Sequence, residues 1–187
     1  MIFFFIIFAL VVIQRIVELR IAKTNERFMK EKGAFEAGKS HYKWMVTLHV
    51  LFFISLFVEV ITFHKTPAQW FWIPLCLFII SQVVRVWALQ SLGRFWNTKI
   101  IVLPGAKVVA KGPYKYIRHP NYFIVMTEII TLPLIFQAYI TAVVFAILNI
   151  IILSIRIPIE EKALAEATNY SHVMKSRSRF MPRDNSK

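Results

Sequence analysis

Long apolar runs constrain the fold of this chain more than any other feature of its sequence. A membrane-spanning helix needs about 20 consecutive, mostly apolar residues. Four apolar runs of 15 to 20 residues are candidates, at residues 44–63, 70–89, 122–136 and 139–157. Residues 1–13 are uncharged as well, and that run continues through Gln14, Arg15 and Glu18. With 57% hydrophobic residues, the chain is more apolar than soluble domains are, so we predict an all-α integral membrane protein with about five transmembrane helices.

The net charge of +13 is concentrated in alternate connections between these runs. Lysine and arginine are frequent in residues 14–43, 90–121 and 158–187, whereas the connections at residues 64–69 and 137–138 hold a single lysine between them. Connections rich in lysine and arginine stay on the cytoplasmic side of a membrane. We therefore predict a protein of the cell membrane with its N-terminus outside and its C-terminus in the cytoplasm. Because this orientation accounts for the charge, no nucleic-acid partner is expected.

The connection after the third run is rich in turn-forming residues. The β-favouring residues 100–102 and 108–110 flank a Pro-Gly turn and predict a small hairpin on the membrane surface. Pro120 disfavours a helical conformation at His119 and suits the first turn of a helix, so the next span is expected to begin there. Arg118 and His119 then lie just outside a helix N-terminus, where free backbone N–H groups favour anions.

The last two runs are separated only by residues 137–138, which predicts a tight helical hairpin. Pro133 is expected to kink or end its first helix, and Pro158 is expected to begin a new helix after its second. The hairpin returns Glu160 and Glu161 to the membrane face that carries the Arg-His-Pro segment. Since arginine binds carboxylates and glutamate can bind an ammonium group, the two segments together could hold a zwitterionic, amphipathic cofactor.

Ionisable side chains within the apolar runs are costly, which makes them candidate functional groups. Arg15 and Glu18 are spaced for an i,i+3 pair. Glu59 lies toward the outer end of its span, where we expect it to reach solvent. His49 is a single ring in an apolar helix and is expected to hydrogen-bond a neighbouring helix.

Glu128 lies about two turns beyond the start of its span, too deep to be explained by the membrane interface. Two interpretations remain open for it: orientation of a bound ligand, or pairing with Arg85 or Arg156. The only cysteine, Cys76, cannot form a disulfide or a thiolate cluster within one chain, and no metal site is expected.

The stretch LGRFWNTKIIVLPGAKVVAKGPYKYIRHPNY, followed by an apolar hairpin and RIPIEEKAL, resembles the isoprenylcysteine carboxyl methyltransferase family. These are integral-membrane enzymes that depend on S-adenosyl-L-methionine. The resemblance covers residues 92–170 and depends on the patterns G-P-Y-x-x-x-R-H-P-x-Y and R-x-x-x-E-E-x-x-L. It implies a cofactor held at the cytoplasmic membrane face without a Rossmann domain, and the chain has no G-x-G-x-x-G motif.

The resemblance also implies which residues form the site. Those expected to bind the cofactor are Tyr114, Arg118, His119, Pro120, Tyr122, Glu160 and Glu161. Arg156 and Glu161 would lie near the reacting methyl group, and with Glu128 they are our candidates for catalysis. The chain is then one membrane domain in three parts: the N-terminal spans on the substrate side (1–90), the methyltransferase core (91–170) and a basic cytoplasmic tail (171–187).

The expected function is transfer of a methyl group from S-adenosyl-L-methionine to a lipophilic acceptor within the membrane. We expect O-methylation of a carboxylate, enol or phenol oxygen on a prenyl or long-alkyl molecule. Three alternatives remain at this point: an NADPH-dependent sterol or steroid reductase, since these enzymes carry a similar R-H-P-N-Y segment, a phospholipid N-methyltransferase, and a non-enzymatic adaptor whose basic tail docks on anionic lipid.

Overall fold

The computed structural model describes residues 1–181, and Arg183 and Lys187 of the predicted basic tail lie outside this part. Six α-helices form most of it: α1 (Ile2–Glu31), α2 (Lys39–Thr62), α3 (Trp72–Leu92), α4 (Pro120–Ile135), α5 (Tyr139–Ala167) and α6 (Tyr170–Met174). Two short strands, β1 (Phe35–Ala37) and β2 (Ile100–Val102), complete the regular structure. Helices α1, α2, α3 and α5 are long and apolar enough to cross a membrane, and the apolar α4 is shorter, with 16 residues. The protein is therefore an integral membrane protein.

One end of the helical bundle is apolar and contains the largest hydrophobic cluster. Phe4 of α1 packs edge-on against Phe136, with ring centroids 5.0 Å apart, and Leu56 and Ile135 are fully buried beside them. Helix α4 ends two residues after Pro133, as the sequence predicted, and a turn of three residues leads into α5. The predicted tight hairpin of α4 and α5 is thus present.

Glu59 lies at this end and is buried, so the expectation that it reaches solvent is wrong. Its carboxylate accepts hydrogen bonds from the backbone N–H groups of Ile140 and Thr141, at 3.2 and 2.8 Å, and from the Thr141 hydroxyl at 2.7 Å. These amides belong to the first turn of α5, where N–H groups have no partner within the helix. Glu59 therefore caps α5, and these hydrogen bonds together with the helix dipole stabilise its buried carboxylate.

The opposite end, which we call the polar end, contains the two strands and residues 93–119. The predicted hairpin between residues 100–102 and 108–110 is wrong. Strand β2 instead pairs antiparallel with β1 from the α1–α2 connection, with Phe35 opposite Val102 and Ala37 opposite Ile100. Residues 108–110 form no strand, and the N–H of Val108 donates to the side chain of Asn169 at 3.0 Å. The strand pair therefore joins two distant connections at the polar end.

Pro158 does not begin a new helix, because α5 is continuous from Tyr139 to Ala167. A proline inside a helix removes one backbone hydrogen bond and clashes with the carbonyl one turn earlier. Here both Pro158 and Ser154, whose carbonyl would have accepted that bond, are exposed on the outer face of α5, and such interruptions are tolerated in membrane helices. As a consequence, Glu160 and Glu161 lie on the same rigid helix as Arg156.

Candidate active site

A cavity of about 560 Å³ extends from the polar end toward the middle of the bundle. This volume falls within the range of small-molecule sites. Its wall at the polar end includes Tyr114, Arg118, His119, Tyr122 and Glu160, and its apolar wall is made largely by α1 and α2. The cavity therefore connects a polar chamber to an apolar channel.

The Arg-His-Pro segment is positioned by the start of α4. His119 precedes the helix and Pro120 occupies its first position, as the sequence predicted. The His119 ring is buried, and its Nε2 lies 3.0 Å from Oε1 of Glu161. Because a carboxylate accepts hydrogen bonds, Nε2 carries the hydrogen in this contact. Arg118 Nη1 approaches the same oxygen at 3.5 Å, so the two sequence segments meet at Glu161.

A second set of contacts centres on Tyr122. Its hydroxyl donates to Glu160 and accepts a hydrogen bond of 2.8 Å from Nε of Arg156. Arg156 is 4% exposed, and its Nη2 donates to the carbonyl of Thr98 at 2.6 Å. The guanidinium of Arg156 is thus fixed by α4 on one side and by the segment before β2 on the other.

Two tyrosines add hydroxyl groups to the polar chamber. Burial raises the pKa of Tyr114, whose hydroxyl accepts a hydrogen bond of 2.9 Å from Asn121. Burial also raises the pKa of Tyr170, and the buried Tyr170 hydroxyl has no hydrogen-bond partner within residues 1–181. Both hydroxyls therefore stay protonated. Sequence reasoning missed Tyr170, since an isolated tyrosine after a helix carries no motif.

The chain after α6 folds back over the site, which the sequence did not indicate. The backbone N–H groups of Arg118 and His119 donate to the carbonyls of Ser178 and Arg179, at 3.0 and 3.2 Å. Nη2 of Arg179 donates to Glu161 at 2.7 Å, and this hydrogen bond raises the pKa of Arg179. In the sequence, Arg179 was indistinguishable from the cations expected of any cytoplasmic tail.

Glu128 belongs to a different cluster, in the middle of the bundle. Its carboxylate accepts hydrogen bonds from Arg15 Nη2 at 2.5 Å, from Gln82 Nε2 at 2.5 Å and from Arg85. Of the two interpretations of Glu128, pairing with Arg85 is the one observed, whereas Arg156 lies at Tyr122. The Arg15–Glu18 pair is also present, at 2.6 Å. The catalytic role predicted for Glu128 gains no support from this arrangement.

The residues of the polar chamber fit an amino-acid-bearing cofactor such as S-adenosyl-L-methionine. The guanidinium groups of Arg118 and Arg156 can bind a carboxylate, and Glu160 can bind an ammonium group. Within the described residues, no group of three or more His, Cys, Asp or Glu side chains could hold a metal ion.

The chain is similar to known proteins over most of its length. The model of the isoprenylcysteine carboxyl methyltransferase family matches residues 72–166, which include α3, α4 and the two charged segments. The chain is 48% identical to the uncharacterized protein YpbQ of Bacillus subtilis (strain 168) over 164 residues, covering 87% of this chain and 97% of that protein. It is 31% identical to an uncharacterized protein of Haemophilus influenzae over 170 residues, covering 88% of this chain and 96% of that protein. Members of the matched family are membrane methyltransferases that generally use S-adenosyl-L-methionine. This chain belongs to the isoprenylcysteine carboxyl methyltransferase family.

Proposed function

We propose that this protein transfers a methyl group from S-adenosyl-L-methionine to an oxygen of a lipophilic acceptor that resides in the membrane. The acceptor oxygen is a carboxylate, enol or phenol oxygen on a prenyl or long-alkyl molecule. The observation that carries the proposal is the continuity of the cavity: a chamber with Arg118, His119, Tyr122 and Arg156 opens into a channel with apolar walls.

The apolar channel supports entry of the acceptor from the side, between α1 and α2. Four apolar side chains line the cavity here and are also exposed: Ile16 and Leu19 of α1 and Val46 and Val50 of α2. A long alkyl chain can lie between these helices while its polar oxygen reaches the chamber. Under the orientation predicted from the charge distribution, the chamber faces the cytoplasm, where the cofactor is available.

S-adenosyl-L-methionine would supply a methyl group on a sulfonium sulfur; transfer would break the methyl–sulfur bond, leave its electrons on sulfur and form a methyl–oxygen bond. The protein has to align oxygen, methyl and sulfur and to exclude water. Alignment of this kind contributes about 7–11 kcal/mol in favourable cases. Arg118 and Arg156 hold the carboxylate of the cofactor, and Glu160 holds its ammonium group.

Glu161 acts on the reaction through its neighbours. It accepts hydrogen bonds from Arg118, His119 and Arg179, so it orients these side chains around the cofactor. A carboxylate acceptor is already a nucleophile and needs no general base. An enol or phenol acceptor loses a proton, and His119, whose Nδ1 does not face Glu161, is a candidate to take it.

Isothermal titration calorimetry of the purified protein with S-adenosyl-L-methionine tests the proposal. The wild type should bind, and Arg118→Ala should bind more weakly because a carboxylate partner is lost. Arg94→Ala is a matched control, since Arg94 contacts the ring of Phe28 and does not line the cavity. If the wild type fails to bind the cofactor, the proposed function is refuted. Incubation of lipid extracts with a labelled methyl donor, followed by mass spectrometry, would then identify the acceptor.

A further inference from the structure

The inner end of the cavity contains a polar layer that the chemistry above does not use. Asn149, Leu153, Arg156 and Glu160 all line the cavity, and their spacing of four, three and four residues places them on one face of α5. At 1.5 Å per residue, Asn149 lies about 10 Å deeper in the bundle than Arg156. The channel therefore has a second polar site two helical turns from the chamber.

Asn149 is the residue that points to a ligand at this depth. Its side chain lines the cavity and is 3% exposed, yet neither its Oδ1 nor its Nδ2 forms a hydrogen bond within residues 1–181. Buried amide groups are nearly always hydrogen-bonded, because leaving them unpaired costs free energy. An asparagine in an apolar span is therefore expected to have a partner, and the cavity is the space from which that partner can come.

His49 lies at the same level on the facing helix. Helices α2 and α5 run antiparallel, and Ser55 contacts Thr141 at 2.8 Å while Phe52 packs on Phe145 at 5.6 Å between ring centroids. One further turn along both helices brings His49 opposite Asn149. Within residues 1–181, His49 forms no hydrogen bond to a neighbouring helix, so the expectation from the sequence is wrong.

The contact that His49 does make defines what it can offer a ligand. Its Nδ1 lies 2.7 Å from the carbonyl of Met45 in its own helix. Since a carbonyl only accepts, Nδ1 carries the hydrogen, and Nε2 of the neutral ring is left as an acceptor. The layer thus offers an amide donor from Asn149 and an imidazole acceptor from His49.

The charges around this layer balance. Arg15 contacts Glu18 at 2.6 Å and Glu128 at 2.5 Å, and Arg85 contacts both carboxylates as well. Two cations therefore face two anions in the middle of the bundle. A charged ligand group would be uncompensated here, whereas a neutral polar group would not.

We propose that Asn149 and His49 form a subsite for a neutral hydroxyl group on the acceptor, about 10 Å deeper along α5 than Arg156 and the polar chamber in which the acceptor oxygen lies. The hydroxyl donates to Nε2 of His49 and accepts from Nδ2 of Asn149. This inference rests on the proposed function, because it assumes an acceptor in the channel. It narrows the acceptor to lipophilic molecules that carry a second polar group within their apolar part.

Displacement of the fluorescent fatty acid cis-parinaric acid by three unlabelled acids tests the subsite. The acids are stearate, 10-hydroxystearate, whose hydroxyl lies near the required distance from the carboxylate, and 3-hydroxystearate, whose hydroxyl is too close to it. We expect 10-hydroxystearate to displace the probe at roughly 3- to 10-fold lower concentration than stearate, which is the effect of one hydrogen bond. The 3-hydroxy acid should show no advantage.

Asn149→Leu should abolish the advantage of 10-hydroxystearate and leave displacement by stearate unchanged. Within residues 1–181 the Asn149 side chain forms no hydrogen bond that its replacement could break, so this variant should unfold at the wild-type temperature or above it. Asn25→Leu is the matched control for stability: Nδ2 of Asn25 donates to the carbonyls of Gly93 and Trp96, at 3.2 and 2.8 Å, so its loss should lower the unfolding temperature.

Equal displacement by stearate and 10-hydroxystearate in the wild type would overturn the subsite, as would failure of both acids to displace the probe. Persistence of the preference in Asn149→Leu would overturn it too. Calorimetry with S-adenosyl-L-methionine on the same preparations separates the two proposals. Absent cofactor binding refutes the methyltransferase proposal alone, while the displacement result still decides the subsite.

Discussion

The hydroxyl of Tyr122 joins the two charged segments, and its removal is a direct test of the site. In Tyr122→Phe the ring remains, together with its packing against His119 at 5.3 Å between ring centroids. Two hydrogen bonds are lost, one to Glu160 and one of 2.8 Å from Nε of Arg156. Arg156 keeps its bond to the Thr98 carbonyl at 2.6 Å, so the guanidinium should stay in place.

Loss of these two hydrogen bonds has different costs in free energy. The side chain of Glu160 is 27% exposed, and water can replace the Tyr122 hydroxyl there. Nε of Arg156 lies on a buried residue and is left without a partner, which costs about 1–3 kcal/mol. We therefore expect the free energy of unfolding to fall by about 1–2 kcal/mol. The dissociation constant for S-adenosyl-L-methionine should rise roughly 10-fold, or about 1.4 kcal/mol, because Glu160 is no longer held in position.

Titration calorimetry and thermal unfolding in the same detergent measure these two quantities. Tyr116→Phe is the matched control, since Tyr116 lies in the same segment and is 51% exposed. The control should match the wild type in both measurements. Wild-type cofactor affinity in Tyr122→Phe, or an equal loss in Tyr116→Phe, would refute the role assigned to this hydroxyl.

Three further substitutions separate the site from the scaffold. Glu161→Gln should weaken cofactor binding by roughly 10-fold or more, because charge-assisted hydrogen bonds are about twice as strong as neutral ones; Glu166→Gln, on an exposed turn of the same helix, should have no effect in the same titration. Glu59→Leu should lower the free energy of unfolding by about 1–2 kcal/mol through loss of the α5 cap, and a change in cofactor affinity would contradict its place at the apolar end. Gly112→Ala should be more destabilising than Gly105→Ala: both glycines have positive φ, 58° and 72°, which costs about 1–2 kcal/mol for alanine, but only at Gly112 would the added Cβ overlap another side chain, that of Ser91. Equal unfolding temperatures of the two alanine variants would show that this overlap is relieved.

The sequence determined the helical elements because their causes are local. A run of apolar residues must form a helix in a membrane, where unpaired backbone groups cannot be solvated, and four of the predicted runs appear as helices long enough to span it. Pro120 set the start of α4 for the same kind of reason, since its ring restricts the residue before it. The near-absence of a connection at residues 137–138 then required α4 and α5 to be antiparallel neighbours. That local constraint is what returned Glu160 and Glu161 to the Arg-His-Pro segment.

Partners distant in sequence were decided by the tertiary structure. Residues 100–102 and 108–110 both contain β-favouring residues, but propensity does not choose between a neighbouring segment and β1, which lies more than sixty residues earlier. Pro158 shows the same limit, because exposure on the outer face of α5 lets the helix continue through it. The ion-pair partners of Glu128 were also decided by the tertiary structure. Several cations along the chain could have paired with it, and the packing of α1 and α3 against α4 selected Arg15 and Arg85.

The candidate site was likewise predicted in part from the sequence and completed only by the fold. The residue types and their return to one membrane face follow from the sequence, since a short hairpin between two spans leaves little freedom. Only the fold revealed the buried Tyr170 hydroxyl, the hydrogen bond from Arg179 to Glu161 and, within residues 1–181, a cavity-lining Asn149 amide without a hydrogen-bond partner. Each of these depends on which side chains surround a group in three dimensions, and hydrogen-bond partners and burial are properties of that packing rather than of spacing along the chain.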